Sequence, residues 1–154
     1  MTTLQSALRR RRAVAAAGAV SAGLLVLSAC DKPTPVATVT VGRSSVSSEA
    51  LCYNDGKTLD AKSLAECAKK AGDVETIKVD TDDTVRFGVD PKIADGGWTI
   101  LVNGRQFTDT SKKTYRTIPG SAFFNAQYGT QGTTNTVSIQ QGEKGLWSFK
   151  LKKA

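Results

Sequence analysis

The side chains with which this chain could do chemistry are three cysteines, Cys30, Cys52 and Cys67, and a set of aspartates at turn-like positions, and there is no histidine. No Ser-His or Cys-His pair can therefore activate a nucleophile, no imidazole can act as general base, and no His-ligated zinc, copper or haem can form. The acidic stretch Asp80-Thr81-Asp82-Asp83 places Asp80, Asp82 and Thr84 at the first three ligand positions of an EF-hand loop. Val85 stands where that loop needs glycine and Pro91 where it needs glutamate, so a solvated turn between strands is expected instead. Asp90, Asp95 and Asp109 flank Trp98, and paired carboxylates are how glycosidases work without histidine. A short chain in sandwich form lacks the deep groove such a site needs. No glycine-rich phosphate cradle is present. The expectation is a protein that is not an enzyme and holds neither metal nor cofactor.

The first thirty residues are an export signal. A basic run, Arg9 to Arg12, precedes Ala13 to Ala29, which carry no charge. That uncharged run of 17 residues is short for a span, because crossing the ~30 Å hydrocarbon core usually takes roughly 20 residues. It ends on Leu27-Ser28-Ala29-Cys30, which resembles the bacterial lipobox at all four positions. The resemblance implies that Cys30 receives a diacylglyceryl group through its thiol and that a lipoprotein signal peptidase cuts between Ala29 and Cys30. Two acyl chains give stable anchoring where one gives only marginal binding, so the mature protein needs no transmembrane helix. Residues 1–29 are then the signal peptide and 30–35 a lipidated N-terminus with a proline-containing tether. The arginine run leaves both the Sec and the Tat export routes open.

Cleavage also changes the charge. Four arginines and no acid lie before Cys30, which takes the 21 basic residues to 17 against 14 acids, a net charge of +3. The basic character of the whole chain thus belongs mostly to the signal, and nucleic acid is not an expected partner. Lys150, Lys152 and Lys153 alternate with Phe149 and Leu151, as on a solvated strand face, with contact to an anionic membrane or wall polymer as the alternative. With Cys30 lipidated, the processed chain has no Met, no His and no free thiol for copper.

Cys52 and Cys67 remain, in a chain sent to an oxidising compartment, and an even pair there reads as a disulfide. Their spacing is far wider than the C-x-x-C of redox pairs, so the bridge is expected to be structural. Between them, Asn54-Asp55-Gly56 signals a turn and Asp60 to Ala71 a helix. Asp60 is a candidate N-cap, Gly72 a candidate C′ residue, and Leu64, Cys67, Ala68 and Ala71 fall at i, i+3, i+4 and i+7. The spacing predicts that this face, Cys67 included, is buried.

The elements that must position these residues are strands. Period-two or β-branched runs are Val36–Val41, Val46–Tyr53, Thr76–Val79, Thr84–Val89, Trp98–Val102, Arg105–Thr108, Lys113–Ile118, Ala122–Asn125, Thr136–Gln140 and Leu146–Leu151. Asn103-Gly104 between two of them is a strong hairpin signal, because a type I′ turn needs positive φ at both central residues. Trp147, Phe149 and Leu151 share one face and are expected inside, as are Trp98, Ile100 and Val102. Tyr128 to Asn135 lacks hydrophobic period and reads as a loop, where binding usually resides. Roughly seven to nine short strands drawn from these runs argue for a mainly β fold, an immunoglobulin-like antiparallel β-sandwich over residues 36–154, with one short helix tied by the disulfide.

The lipobox followed by Asp31 and a proline tether, the cysteine pair around a small helix, and the Trp98 to Gly104 hairpin together resemble a family of actinobacterial lipoproteins known only as a domain of unknown function. The resemblance spans nearly the whole chain and carries over no catalytic residue. The function expected is that of a lipoprotein anchored by Cys30 on the extracellular face of the cell membrane. It would act as a non-catalytic binding or structural module of the envelope, with an unknown envelope protein or polysaccharide as partner. The alternative is a polysaccharide-recognising or carboxylate-dependent hydrolytic accessory protein of the cell wall. Two buried tryptophans favour the first, and an exposed aromatic pair near the 103 or 128 loops the second.

Overall fold

The computed structural model describes residues 34–154. Cys30 and the stretch expected to be a signal peptide lie outside them. In chain order the elements are β1 (Ala37–Val41), β2 (Ser44–Ser48), β3 (Cys52–Tyr53), α1 (Ala61–Lys69), β4 (Thr76–Val79), β5 (Thr84–Val89), α2 (Pro91–Gly96), β6 (Thr99–Val102), β7 (Arg105–Gln106), β8 (Tyr115–Pro119), β9 (Thr134–Gln141) and β10 (Gly145–Lys153). The protein is mainly β.

One sheet has four strands in the order β2-β1-β5-β8, all antiparallel. The other has six, running β3-β10-β9-β6-β7, with β4 also on β10. β3 and β4 share one edge of β10. β3 pairs antiparallel with its beginning, Leu146 opposite Cys52, and β4 pairs parallel with its end, Leu151 opposite Ile77. The β4–β10 ladder is an exception to the purely antiparallel sheets expected. It arises because the chain reverses through α1 between the two edge strands.

The inner faces are those that alternation marks. Val85, Phe87 and Val89 are buried, whereas Arg86 is exposed. Trp147, Phe149 and Leu151 are fully buried, as are Trp98 and Ile100, with Val102 nearly so. Inward side chains of both sheets join in a single hydrophobic core whose residues lie between Ala37 and Leu151. The described unit therefore carries its own core and its own disulfide, as an independently folding domain does.

The structure departs from the sequence reading in several places. Val46–Tyr53 is not one strand: β2 lies in the four-stranded sheet and β3 in the six-stranded one, and the link is fastened by Leu51 N–H donating to Leu146 O at 2.8 Å. Ala122–Asn125 is not a strand. Gly120–Phe124 forms a 3-10 turn after β8, with the Gly120 N–H donating to Asp83 O at 2.7 Å. Helix α2 was not anticipated. Pro91 opens it at a position where a missing N–H costs nothing, and Ile93 and Ala94 are its buried side. Pro35, at the end of the expected tether, is buried, and its carbonyl accepts a 2.7 Å hydrogen bond from the Trp147 indole N–H.

Candidate functional site

Helix α1 begins at Asp60, whose backbone is extended (φ −71°, ψ 158°) and whose carboxylate accepts from the Ser63 N–H at 2.8 Å and the Ser63 hydroxyl at 2.9 Å. Those two bonds hold the Asp60 carboxyl below the usual carboxylate pKa. The helix gives way to a 3-10 turn over Lys70–Gly72, so Gly72 lies within a helical turn and not at C′. Three ties lay α1 along the outer side of β10. Leu59 N–H donates to Glu143 O at 2.7 Å near its start, and Cys67 is bonded to Cys52 with a Cα separation of 5.9 Å. At its end, Lys150 Nζ donates to Gly72 O at 2.6 Å. The expected disulfide is present, within the normal Cα range.

The apolar face of α1 is not buried as predicted. Cys67 is buried, but Leu64 and Ala71 are only half-buried and Ala68 is exposed. The reason is side-chain length: alanines at 68 and 71 are too short to fill the space down to the sheet, so a groove is left. Its helical wall is Leu64, Ala68, Ala71 and Gly72, its floor is Thr136, Ser138 and Gln140 of β9 with Leu146 and Lys150 of β10, and its far wall is Leu101, Asn103 and Gly104. The volume is about 440 Å³, within the range of small-molecule sites.

Register explains the floor. The alternation that sends Val137 and Ile139 into the core turns Thr136, Ser138 and Gln140 outward, and Leu101 lies opposite Ser138, which lies opposite Ser148. Outward residues of a two-sided sheet are ordinarily solvated. Here Ser138 and Ser148 are buried and hydrogen-bonded to each other at 2.7 Å. Other polar groups of the groove are engaged too. Asn103 Nδ2 donates to Asn135 Oδ1 at 2.7 Å and its Oδ1 accepts from Thr136 N–H at 3.0 Å, while Gln140 Nε2 donates to Gly142 O at 2.8 Å. The Asn103-Gly104 turn has the positive φ values of type I′, 50° and 79°. What this groove offers a ligand is mainly apolar contact from Leu64, Leu101 and Leu146, plus the Lys150 ammonium.

The sequence-derived candidates are placed as follows. Ala29 and Cys30 lie outside the described residues. Asp80 to Asp83 is a turn between β4 and β5, closed by Asp83 Oδ2 accepting from the Asp80 N–H at 2.9 Å. Asp90 Oδ2 accepts from the Val36 N–H at 2.8 Å, fastening the start of β1. Asp95 is exposed near the end of α2, and Asp109 gives its backbone carbonyl to Arg116 Nη1 at 2.6 Å. Among the described residues, no three His, Cys, Asp or Glu side chains group closely enough to hold a metal ion. Lys152 and Lys153 are exposed, whereas Lys150 is half-buried as the latch on Gly72.

Both tryptophans are in the core, each with its indole N–H on a carbonyl: Trp98 on Lys113 at 2.8 Å and Trp147 on Pro35. The loop from Tyr128 is short, since β9 already starts at Thr134, and it is pinned from within. Thr130 is buried with its hydroxyl 2.9 Å from Asn125 O, and Asn135 Nδ2 donates to Phe123 O at 2.7 Å. Tyr128, 59% exposed, meets the half-buried Phe107 edge-on at 6.3 Å between ring centroids. That is one displayed ring and not a flat pair.

The groove is not legible in the sequence because it joins α1, β6, β9 and β10, from Leu64 to Lys150, across most of the chain. The signal that could have found it was the pair of alanines on a helix face otherwise built for burial. Comparison with protein-family models, with curated proteins and with solved structures gave no match.

Proposed function

We propose that this protein is an exported lipoprotein, held to the outer face of the cell membrane through lipid on Cys30, that acts as a non-catalytic binding module of the envelope with the groove beneath α1 as its site. The observation that carries the reading is the construction of the groove. A helix is stapled over an outward sheet face by a disulfide, yet its apolar side is left uncovered. A disulfide is also what a chain in an oxidising compartment keeps, which supports the export inferred from Leu27-Ser28-Ala29-Cys30. The arrangement of the two sheets as an immunoglobulin-like sandwich belongs to the same proposal, supported by their shared core. The engagement of Asp90 with Val36 fits a structural role for that carboxylate.

A photo-crosslinking residue at Ala68, on the exposed helical wall, tests the site on intact cells. Adducts with an envelope component that vanish when the groove is filled by Leu101→Trp are expected. A crosslinker at Ala68 that reaches only solvent, while one at Tyr128 captures polysaccharide, would favour the second reading. That reading, a polysaccharide-recognising accessory protein, draws on the displayed Tyr128 ring.

A further inference from the structure

We infer that the groove takes a single-chain anionic lipid, its hydrocarbon lying between Leu64, Leu101 and Leu146 and its acidic head at the Lys150 end. The inference rests on the groove's being the binding site of the module, and it adds the chemical class of the ligand.

Two observations carry it. The first is that most hydrogen-bonding side chains along the groove already have partners: Ser138 with Ser148, Asn103 with Asn135 and the Thr136 N–H, and Gln140 Nε2 with Gly142 O, so that the Thr136 hydroxyl and Gln140 Oε1 are what remain. A sugar or a peptide buried there would lose many bonds to water and regain few, whereas a hydrocarbon chain loses none. The second is charge. Lys150 donates to one carbonyl, Gly72 O, leaving two of its three ammonium protons for a ligand. Lys69 and Lys70 stand exposed at the adjacent end of α1, and Lys152 follows Lys150 on the same outward face of β10.

The opposing charges are fewer, the nearest in the chain being Asp73, which follows Gly72, and Glu75, whose backbone carbonyl accepts from the Lys150 N–H at 2.8 Å. The C-terminal carbonyls of α1 carry partial negative charge, but Gly72 O is already bonded to the ammonium. Asp73 and Glu75, on the way to β4, line a separate depression with Glu49 and Leu51. The balance at the mouth is positive, next to an apolar slot, which is complementary to an acyl chain with an acidic terminus.

Residues 31–154, which contain the complete core and the disulfide, are used with a dansylated undecanoate as reporter. Dodecanoate, dodecyl phosphate and dodecanol compete for it below their micellar concentrations. Both anionic probes are expected to displace the reporter saturably, and dodecanol to be weaker by about tenfold, the effect of losing a hydrogen bond to a charged group. Ala68→Trp, at an exposed position that does not disturb the core, is expected to weaken all three by at least about tenfold by filling the slot. Lys150→Met should erase the preference for the anions and Lys150→Arg restore it. Lys152→Gln, which leaves the Gly72 latch intact, should reduce the preference in part.

Equal displacement by dodecanol and dodecanoate would overturn the assignment of the head group. Binding undiminished in Ala68→Trp would overturn the assignment of the slot, and no saturable displacement by any probe would overturn the ligand class. Failure of the underlying module reading shows separately, as loss of the Ala68 adducts on cells.

Discussion

Removing the disulfide tests how the site is held together. In Cys52→Ala/Cys67→Ala the loop that joins these two positions, 15 apart in sequence, is no longer closed in the unfolded chain. On the chain-entropy relation a loop of that size is worth about 3 kcal/mol at 25 °C. With about 2.1 cal/mol/K of unfolding entropy per residue over the roughly 120 residues described, that loss lowers the melting temperature by roughly 12 °C. The damage should be uneven. The hydrophobic core does not include α1, and after the bridge is gone the helix keeps only the Leu59–Glu143 and Lys150–Gly72 bonds and sparse apolar contact. Hydrogen exchange read residue by residue should therefore show amides of Leu64 to Lys70 losing nearly all protection, while those of β9 and β10 fall only with global stability. Two results would refute the reasoning: helical amides as protected in the double variant as in the parent, or loss of the whole fold at room temperature.

Further outcomes follow from single contacts. Asn135→Ala removes the side chain that ties the 103 turn to the Phe123 carbonyl, and chemical denaturation should show a loss of about 1–3 kcal/mol with an unchanged slope. Because the Asp60 carboxyl is held below its usual pKa, its support of α1 is complete above the ordinary aspartate value of about 3.9 and is lost as pH falls through the lowered one. Exchange of the Ser63 amide should accelerate over that acidic window in the parent and already be fast at neutral pH in Asp60→Ala.

Much of this was legible in the chain because period-two patterns and turn chemistry are local. Val85, Phe87 and Val89 point inward as their spacing says, Trp147, Phe149 and Leu151 likewise, and Asn103-Gly104 turns where it should. Asp60 caps α1 and Cys67 meets Cys52. What escaped depends on partners distant in sequence or on elements too short for a period. Phe123 and Phe124 look like strand residues until Gly120 binds Asp83 and winds the segment into a turn. Six residues of α2 complete fewer than two helical periods. Periodicity marked Leu64, Ala68 and Ala71 as an apolar face but could not say that alanines would leave it standing off the sheet. Lys150 looked like one more solvated lysine, since nothing local announces that Gly72 O is its partner.

The measurement that bears most directly on the account is the intact mass of the protein purified from the membranes of the cells that make it, with its N-terminal peptide sequenced by fragmentation. A lipoprotein begins at Cys30 and carries a diacylglyceryl adduct on that residue, and Cys30→Ala releases the protein from the membrane fraction or leaves its signal uncut. A chain found in the membrane with an unmodified Cys30, or a Cys30→Ala variant that is cleaved and retained as well as the parent, would contradict it.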